Sequence, residues 1–262
     1  MNVALCLYGH VGISSEASGR TDNEIKDESL TASTNPVIAA DGFHQHLISR
    51  YNTATFIHSW SKEHVELLNN LYRPQLALFQ DQIDFTEPLS AYGIESKNID
   101  EWNVSPDAKR GYELLLPSRG NVAAIQSEME REIFRTRSRW YSTQKSIELK
   151  SKFEKEHQQK FDFVIVSRLD CLFRRPFVLE DKNPNNFYAS LRHNRPDSDI
   201  ALFDFYFMAG SEQMDQFGTL YDHSTDYCVR PTIACREHIK KIGKENDLTD
   251  YLVYELDYQK VK

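Results

Sequence analysis

The sequence predicts an α/β protein whose central sheet is mostly parallel and flanked by helices. Two observations carry this prediction. Strand and helix patterns alternate over the first 80 residues, and the run FDFVIVSRLDCLF at 161–173 places four apolar residues in succession before a polar end. Short strands that alternate with helices are typical of βαβ units. A strand that is apolar on both sides is typical of a sheet covered on both faces.

The first half of the chain contains three predicted strands separated by two predicted helices. The predicted elements are a strand at 2–8, a helix at 36–51, a strand at 53–60, a helix that Pro74 ends, and a strand at 75–80. Ser59 or Ser61 is the expected N-cap of the second helix. The segment 13–36 is polar and has little periodicity, so we expect a long mobile loop that closes over a ligand.

The second half of the chain is predicted to contain a long helical region and three further strands. Residues 121–157 are strongly helical, as two helices or one bent helix. The remaining predicted elements are strands at 161–167, NFYAS and ALFDFYFMAG, a helix capped by Ser211, and a helix at 232–243. Arg135, Arg137 and Arg139 in the helical region form a solvated face or contact phosphate.

Composition and charge exclude several classes of protein. The chain has 262 residues, of which 40% are hydrophobic and 27% charged, as is typical of a soluble globular protein. Its net charge of −8 argues against nucleic acid as a partner. No apolar run approaches the roughly 20 residues of a membrane span. The cysteines at 6, 171, 228 and 235 lack C-x-x-C spacing, so we expect reduced thiols in a cytoplasmic protein, with a 228–235 bridge as the alternative.

Arg168 and Asp170 come directly after the apolar strand at 161–167, at the end where ligands bind in parallel sheets. Side chains two residues apart on a strand point to the same side. An arginine offers a planar fork of donors to phosphate oxygens, and an aspartate can ligate Mg²⁺ or Mn²⁺. The pair is therefore expected to hold a nucleotide diphosphate, with a salt bridge between the two residues as the structural alternative.

Several segments of the chain resemble one glycosyltransferase family. VALCLYGHVG, TATFIHSWS, YRPQLALFQDQIDF, FDFVIVSRLDCLF and FYFMAGSEQMDQFGTLYD are similar to segments of glycosyltransferases from bacterial capsule loci, large DNA viruses and phages. The similarity is spread over most of the chain in short motifs. It implies a GT-A fold, which is a Rossmann-like α/β domain that binds a nucleotide sugar. Residues 1–262 are then one domain, with a nucleotide-binding half at 1–120 and a metal and acceptor half at 121–262.

The sequence departs from the Asp-x-Asp metal motif that such enzymes place after an apolar strand. Arg168 stands at the first position, and only Asp170 remains as the expected metal ligand. Whether the enzyme requires Mn²⁺ or Mg²⁺ is therefore open. We expect the positive charge of Arg168 to take over part of the metal's role in neutralising the diphosphate. A literal Asp-x-Asp occurs at Asp197 and Asp199, in a polar segment, and is the alternative ligand pair.

Residues after the first two strands are the expected nucleotide-binding groups. Gly9, His10 and Gly12 follow the first strand, where glycine lets backbone N–H groups approach a nucleotide, with a plain tight turn as the alternative. Their spacing is not G-x-G-x-x-G, so a dinucleotide fingerprint is absent. Trp60 ends the second strand and either stacks on a base or belongs to the core.

Asp204 is the expected catalytic base. A transfer with inversion needs a carboxylate that takes the proton of the acceptor hydroxyl, and Asp204 precedes a strand that should border the acceptor site. Glu237 is a weaker alternative for this role. His223 and His238 are either late metal ligands or ordinary surface or core residues.

Together these expectations describe a cytoplasmic glycosyltransferase, in the host cytoplasm if the chain is viral. Its donor is a nucleotide-diphosphate sugar, and its acceptor is a hydroxyl of a glycan or glycoconjugate. One alternative is another nucleotide-dependent transferase, such as a nucleotidyltransferase or sulfotransferase, although no P-loop motif is present. The other alternative is a non-catalytic carbohydrate-binding protein on the same fold.

Overall fold

The computed structural model describes residues 1–11, 36–252 and 257–260. The strands of this part of the chain are β1 (Asn2–Gly9), β2 (Asn52–Ser59), β3 (Leu76–Phe79), β4 (Phe163–Arg168), β5 (Cys171–Phe173), β6 (Phe187–Leu191), β7 (Leu202–Ala209), β8 (Leu248–Asp250) and β9 (Tyr258–Lys260). The α-helices are α1 (Pro36–Phe43), α2 (Val65–Tyr72), α3 (Pro106–Glu113), α4 (Leu116–Arg119), α5 (Val122–His157), α6 (Ser211–Phe217) and α7 (Pro231–Lys241). Shorter helical turns, mostly 3₁₀, lie between them.

A seven-stranded sheet forms the centre of the molecule, with the order β3-β2-β1-β4-β7-β6-β8. The strands β3, β2, β1 and β4 are parallel to one another, and β8 is parallel to β6. Only β7 in this sheet runs in the opposite direction, because it is antiparallel to both β4 and β6. This confirms the predicted α/β class with a mostly parallel, helix-flanked sheet. The strands β5 and β9 form a separate antiparallel pair.

The interior strand β1 separates two hydrophobic cores. Leu5 and Leu7 point into a core shared with α1 and α2, whereas Cys6 and Tyr8 point into a core shared with α5 and α6. Because successive side chains of a strand point to opposite faces, a strand with helices on both faces must be apolar throughout. This is why the predicted strand reads as an uninterrupted apolar run.

The helix α5 is a single element of 36 residues. The Asn121 side chain caps its start by accepting a hydrogen bond of 2.9 Å from the Ala124 N–H, and Gln158 ends it in the left-handed conformation. At 1.5 Å per residue the helix is about 54 Å long. One half of α5 packs on the sheet through Trp140 and Ile147.

The other half of α5 extends past the sheet and builds a third core. Ile125 and Met129 of α5 pack there against Trp102 and Tyr112, together with Ile233 of α7. This third core therefore stands above the sheet edge at which β1, β2 and β4 end. Gly9 and Arg168, two of the predicted site residues, lie at that edge because they end β1 and β4.

The predicted serine caps of two helices are wrong. Ser61 makes no capping bond, and its hydroxyl instead accepts a hydrogen bond from the Val11 N–H at 2.9 Å and donates to the Val11 carbonyl at 3.0 Å. Ser211 is the first residue of α6 rather than its cap, and its hydroxyl contacts the buried Lys150 and Glu154. Both hydroxyls make hydrogen bonds with residues distant in sequence, and a local sequence pattern does not predict such contacts.

All four cysteines are buried and free, so the 228–235 bridge does not form. Burial raises the pKa of the Cys228 and Cys235 thiols to about 12, so both stay protonated at neutral pH. Within the described ranges, none of the helices is both long enough and apolar enough to cross a membrane.

Candidate functional site

The predicted site residues meet at one edge of the sheet, because β1, β2 and β4 are parallel and end side by side. Gly9 pairs with Ser59 across β1 and β2, and Tyr8 pairs with Arg168 across β1 and β4. The antiparallel strand β7 begins at this edge, and the Tyr8 hydroxyl donates a hydrogen bond of 3.2 Å to the Asp204 carbonyl. The chain order reverses between β1 and β4, which is the switch point where ligands bind in open α/β sheets.

Gly9 turns the chain at the end of β1. Its φ of +114° is one that other residues rarely adopt, so the turn requires glycine. Its N–H donates to Ser142 Oγ of α5 at 3.2 Å, and its carbonyl accepts from Ser59 Oγ at 2.8 Å. Both backbone groups of Gly9 are thus engaged within the protein, as a plain tight turn requires.

His10 follows this turn and is held by side chains from a loop and from α5. One ring nitrogen of His10 lies 3.0 Å from Gln82 Oε1, which also accepts a hydrogen bond of 3.1 Å from Ser138 Oγ. Burial lowers the pKa of His10. Gly12 lies outside the described residues, as do residues 13–35 of the predicted closing loop.

Trp60 lies at the end of β2 in a buried aromatic cluster with His58, Phe85 and Tyr141. Its ring stacks on Tyr141 at 5.5 Å and meets His58 edge-on at 4.7 Å. Only 5% of Trp60 is exposed. Burial lowers the pKa of His58 to about 3, so this histidine is neutral. Trp60 therefore packs as a core residue, and its stacking on a nucleotide base stays a prediction.

Arg168 and Asp170 form an ion pair with each other. Arg168 Nε donates to Asp170 Oδ1 at 2.7 Å, and Arg168 Nη2 donates to Asp170 Oδ2, so the pair is a two-pronged fork. The guanidinium also lies 5.3 Å from the centre of the Phe205 ring. The Arg168 side chain is 16% exposed and that of Asp170 is 7% exposed. The salt bridge that the sequence left as the alternative is thus present.

Asp204, the predicted base, is ion-paired with Arg139 of α5. Its side chain is 6% exposed, whereas that of Arg139 is 21% exposed. Sequence reasoning grouped Arg139 with Arg135 and Arg137, but the three arginines have different surroundings. Arg135 pairs with Glu132 of its own helix, and Arg137 contacts residues of the segment after α6. The contact of Arg139 with the sheet edge could not be read from the sequence, because its partner lies in a distant strand.

The two arginines lie in one electrostatic environment around Tyr8. Burial and then the positive charge of Arg168 lower the pKa of Arg139 to about 10, so Arg139 remains charged at neutral pH. Burial alone would lower the pKa of Arg168, but the Asp170 carboxylate reverses this effect and raises it. Burial raises the pKa of Tyr8 to about 12, against the opposing charges of Arg139 and Arg168. The edge therefore carries two fixed cations that repel each other.

The residues at this edge do not fit a divalent cation. A bound Mn²⁺ or Mg²⁺ needs carboxylate oxygens as ligands, yet both oxygens of Asp170 accept N–H groups of Arg168. The alternative pair is also engaged, since Asp197 pairs with Arg192 and Asp199 pairs with an exposed arginine of α3. In the parts of the chain that the structure covers, no group of three His, Cys, Asp or Glu side chains could hold a metal.

Two other candidates, Glu237 and His238, lie apart from this edge and contact only neighbouring parts of the protein. Glu237 of α7 accepts hydrogen bonds from the Ser105 hydroxyl and, at 2.7 Å, from the Cys228 N–H. Burial raises the pKa of Glu237. His238 is fully buried and shares a hydrogen bond of 2.9 Å with the Tyr227 hydroxyl. These contacts hold α7 to neighbouring segments.

A cavity of about 670 Å³ lies elsewhere, between the segment 90–105 and the segment 225–227. Its lining includes the acidic residues Glu95, Glu101 and Asp226 and none of the predicted site residues. An acidic lining repels a diphosphate, so this cavity does not replace the sheet edge as the candidate nucleotide site.

Two comparisons with known proteins return no match. No protein-family model matches the sequence, and no curated protein matches it. The candidate site is therefore defined by its own geometry, at the switch point of the sheet where Arg139 and Arg168 meet Asp170 and Asp204.

Proposed function

We propose that this chain is a glycosyltransferase with a GT-A-like fold, which transfers a sugar from a nucleotide-diphosphate sugar to a hydroxyl of a glycan or glycoconjugate. The single observation that carries the proposal is the convergence of Arg168 and Arg139 on the switch point of a mostly parallel sheet. An anionic ligand of α/β proteins binds at such a point, and guanidinium groups recognise phosphate oxygens with a fork of donors.

The proposed roles follow from the positions of the side chains. Arg168 and Arg139 bind the diphosphate, and the Gly9 turn with His10 borders the nucleotide. Asp204 takes the proton of the acceptor hydroxyl as that oxygen attacks the anomeric carbon and the nucleoside diphosphate leaves. Because Arg139 pairs with Asp204, the carboxylate acts as a base only when the guanidinium turns toward the diphosphate. We place this activity in the cytoplasm, in keeping with the four free thiols.

A panel of ligands tests this function. Thermal-shift measurements compare UDP-, GDP- and CMP-sugars with ATP, CTP and the sulfate donor PAPS. We expect a nucleotide-diphosphate sugar to raise the melting temperature most, because ligands that bind only the folded state stabilise it. Stabilisation by ATP, CTP or PAPS alone would point to a nucleotidyltransferase or sulfotransferase and overturn the proposal.

A non-catalytic carbohydrate-binding protein is the second candidate. The ion pairing of both Asp170 and Asp204 favours it, because an arginine occupies each carboxylate that would bind a metal or take a proton. Glycan-array binding combined with nucleotide-sugar consumption separates the two functions. Binding of a glycan without consumption of any sugar nucleotide would favour the second candidate.

A further inference from the structure

Among the described residues of the candidate site, both carboxylates are paired with arginines, whereas the two guanidinium groups have N–H groups without a partner in the protein. Arg168 donates two N–H groups to Asp170, and Arg139 contacts Asp204. A guanidinium has more N–H groups than these contacts occupy. Within the described residues, no other hydrogen bond of either guanidinium is present. Both side chains are partly exposed, at 16% and 21%, so a ligand from solvent can reach them.

The two arginines come from different elements, Arg168 from β4 and Arg139 from α5. Arg168 is fixed at the end of β4 by Asp170 and by the Phe205 ring. Arg139 is fixed on α5, three residues before Ser142, whose hydroxyl accepts the Gly9 N–H. Helical residues three apart lie on the same face, so α5 presents Arg139 to the same edge. Tyr8 connects the two residues, because it is the register partner of Arg168 and its hydroxyl donates to the carbonyl of Asp204, the residue that pairs with Arg139.

We infer that Arg139 and Arg168 form a two-arginine clamp which binds the donor diphosphate in place of a divalent cation, so that donor binding needs no metal. This inference rests on the proposed function. Each guanidinium offers N–H donors to phosphate oxygens, and Arg139 adds a positive charge to the site when it leaves Asp204 for the diphosphate. The diphosphate competes with Asp204 for Arg139, whereas the Arg168–Asp170 fork stays in place and orients the Arg168 guanidinium.

Calorimetric titration of UDP, GDP, CDP and dTDP tests the clamp. The protein is first dialysed against EDTA and then compared with the same protein in MnCl₂ or MgCl₂. We expect at least one nucleoside diphosphate to bind with the same Kd in EDTA and in metal. Inorganic pyrophosphate should compete with it in EDTA, because the clamp recognises the diphosphate rather than the base.

Substitution of the arginines tests which residues bind. Arg139→Gln and Arg168→Gln should each weaken binding by about ten- to a hundredfold, as loss of a charged hydrogen-bond donor does. Arg119→Gln is the matched control, since Arg119 is also paired with a carboxylate but lies on α4. Arg168→Lys keeps the charge without the fork, and it replaces Arg168→Gln if that variant does not fold by circular dichroism.

The outcomes separate the inference from the proposed function. Binding in EDTA that both glutamine variants weaken supports the clamp. Binding that appears only with Mn²⁺ or Mg²⁺, or that neither variant changes, overturns the clamp and leaves the glycosyltransferase proposal in place. Failure of every nucleoside diphosphate to bind, with or without metal, removes the proposed function and the clamp with it.

Discussion

The Nε atom of Arg168 lies 2.7 Å from Oδ1 of Asp170, and the second prong of the fork joins Nη2 to Oδ2. The two residues are separated in sequence by a single leucine that is fully buried in the core. This buried Leu169 anchors the backbone between the two polar side chains, so the fork is held at the sheet edge. The pair therefore has a structural role whether or not it also binds a ligand.

We expect Asp170→Ala to destabilise the fold as well as to reduce activity. The substitution leaves Arg168 without its partner in a mostly buried site, which typically costs about 3–5 kcal/mol of unfolding free energy. Asp199→Ala is the matched control, because its salt bridge with Arg110 is about half exposed and exposed ion pairs contribute little to stability. Urea denaturation measures both variants. Equal unfolding free energies for the two would contradict a structural role for the fork.

The sequence was sufficient to predict the parallel part of the sheet. The strands β1 and β4 have apolar residues in succession, which follows directly from burial on both faces. The reversed direction of β7 was not predictable in this way, because an apolar pattern reports burial and not pairing direction. The pair β5 and β9 was also missed, since each has three residues and their hydrogen bonds join distant parts of the chain.

For the candidate site, the sequence predicted only which residues lie together at the ends of the strands. Gly9 and Arg168 were expected to lie together because parallel strands end at a common edge. The partner of each side chain was not predictable from position alone. Arg139 pairs with Asp204 because α5 crosses the sheet edge, and this crossing depends on tertiary packing rather than on any local motif.

We expect Asp204→Asn to slow sugar transfer strongly while donor binding persists. An amide cannot take the proton of the acceptor hydroxyl, and loss of a general base typically lowers the rate about 10²–10⁴-fold. The same change removes the carboxylate that holds Arg139, so the affinity for the nucleoside diphosphate should stay equal or rise. A transfer assay and calorimetry measure the two effects separately.

Glu237→Gln provides the control for this prediction. Glu237 is buried and bound to the Ser105 hydroxyl and the Cys228 N–H, so its amide variant should lose stability without a specific loss of transfer. If Glu237→Gln folds normally but transfers no sugar, while Asp204→Asn transfers sugar at the full rate, then Glu237 and not Asp204 is the base.

We expect the unfolding free energy to fall as the pH drops below 6.5, in part through two buried histidines. Burial lowers the pKa of His58 to about 3 and that of His238 to about 4, from an ordinary value of 6.5. The unfolded state therefore takes up protons first, which favours unfolding as the pH falls from 6.5 toward these values. Well below 6.5 each histidine contributes about 1.4 kcal/mol per pH unit.

Urea denaturation at pH 7.5, 6.5 and 5.5 measures this dependence. The variants His58→Gln and His238→Gln should each reduce the slope between pH 6.5 and 5.5, and the double variant should reduce it most. Comparison of each variant with the parent protein cancels the titration of groups that both share. An unchanged slope in the double variant would show that the two rings do not remain neutral in the folded protein.

We expect Gly9→Ala to impair donor binding beyond its effect on stability. At a φ of +114° an alanine is strained even though its Cβ would meet no atom within 4 Å, so the cost is conformational, about 1–3 kcal/mol. Gly120→Ala is the matched control, because Gly120 also has a positive φ of +81° with open space around it but precedes α5, away from the sheet edge. Both variants should therefore lose similar unfolding free energy in urea, while only Gly9→Ala should raise the Kd for the nucleoside diphosphate. If both variants bind the nucleotide as the parent protein does, the turn after β1 serves the fold alone and the donor lies closer to β4.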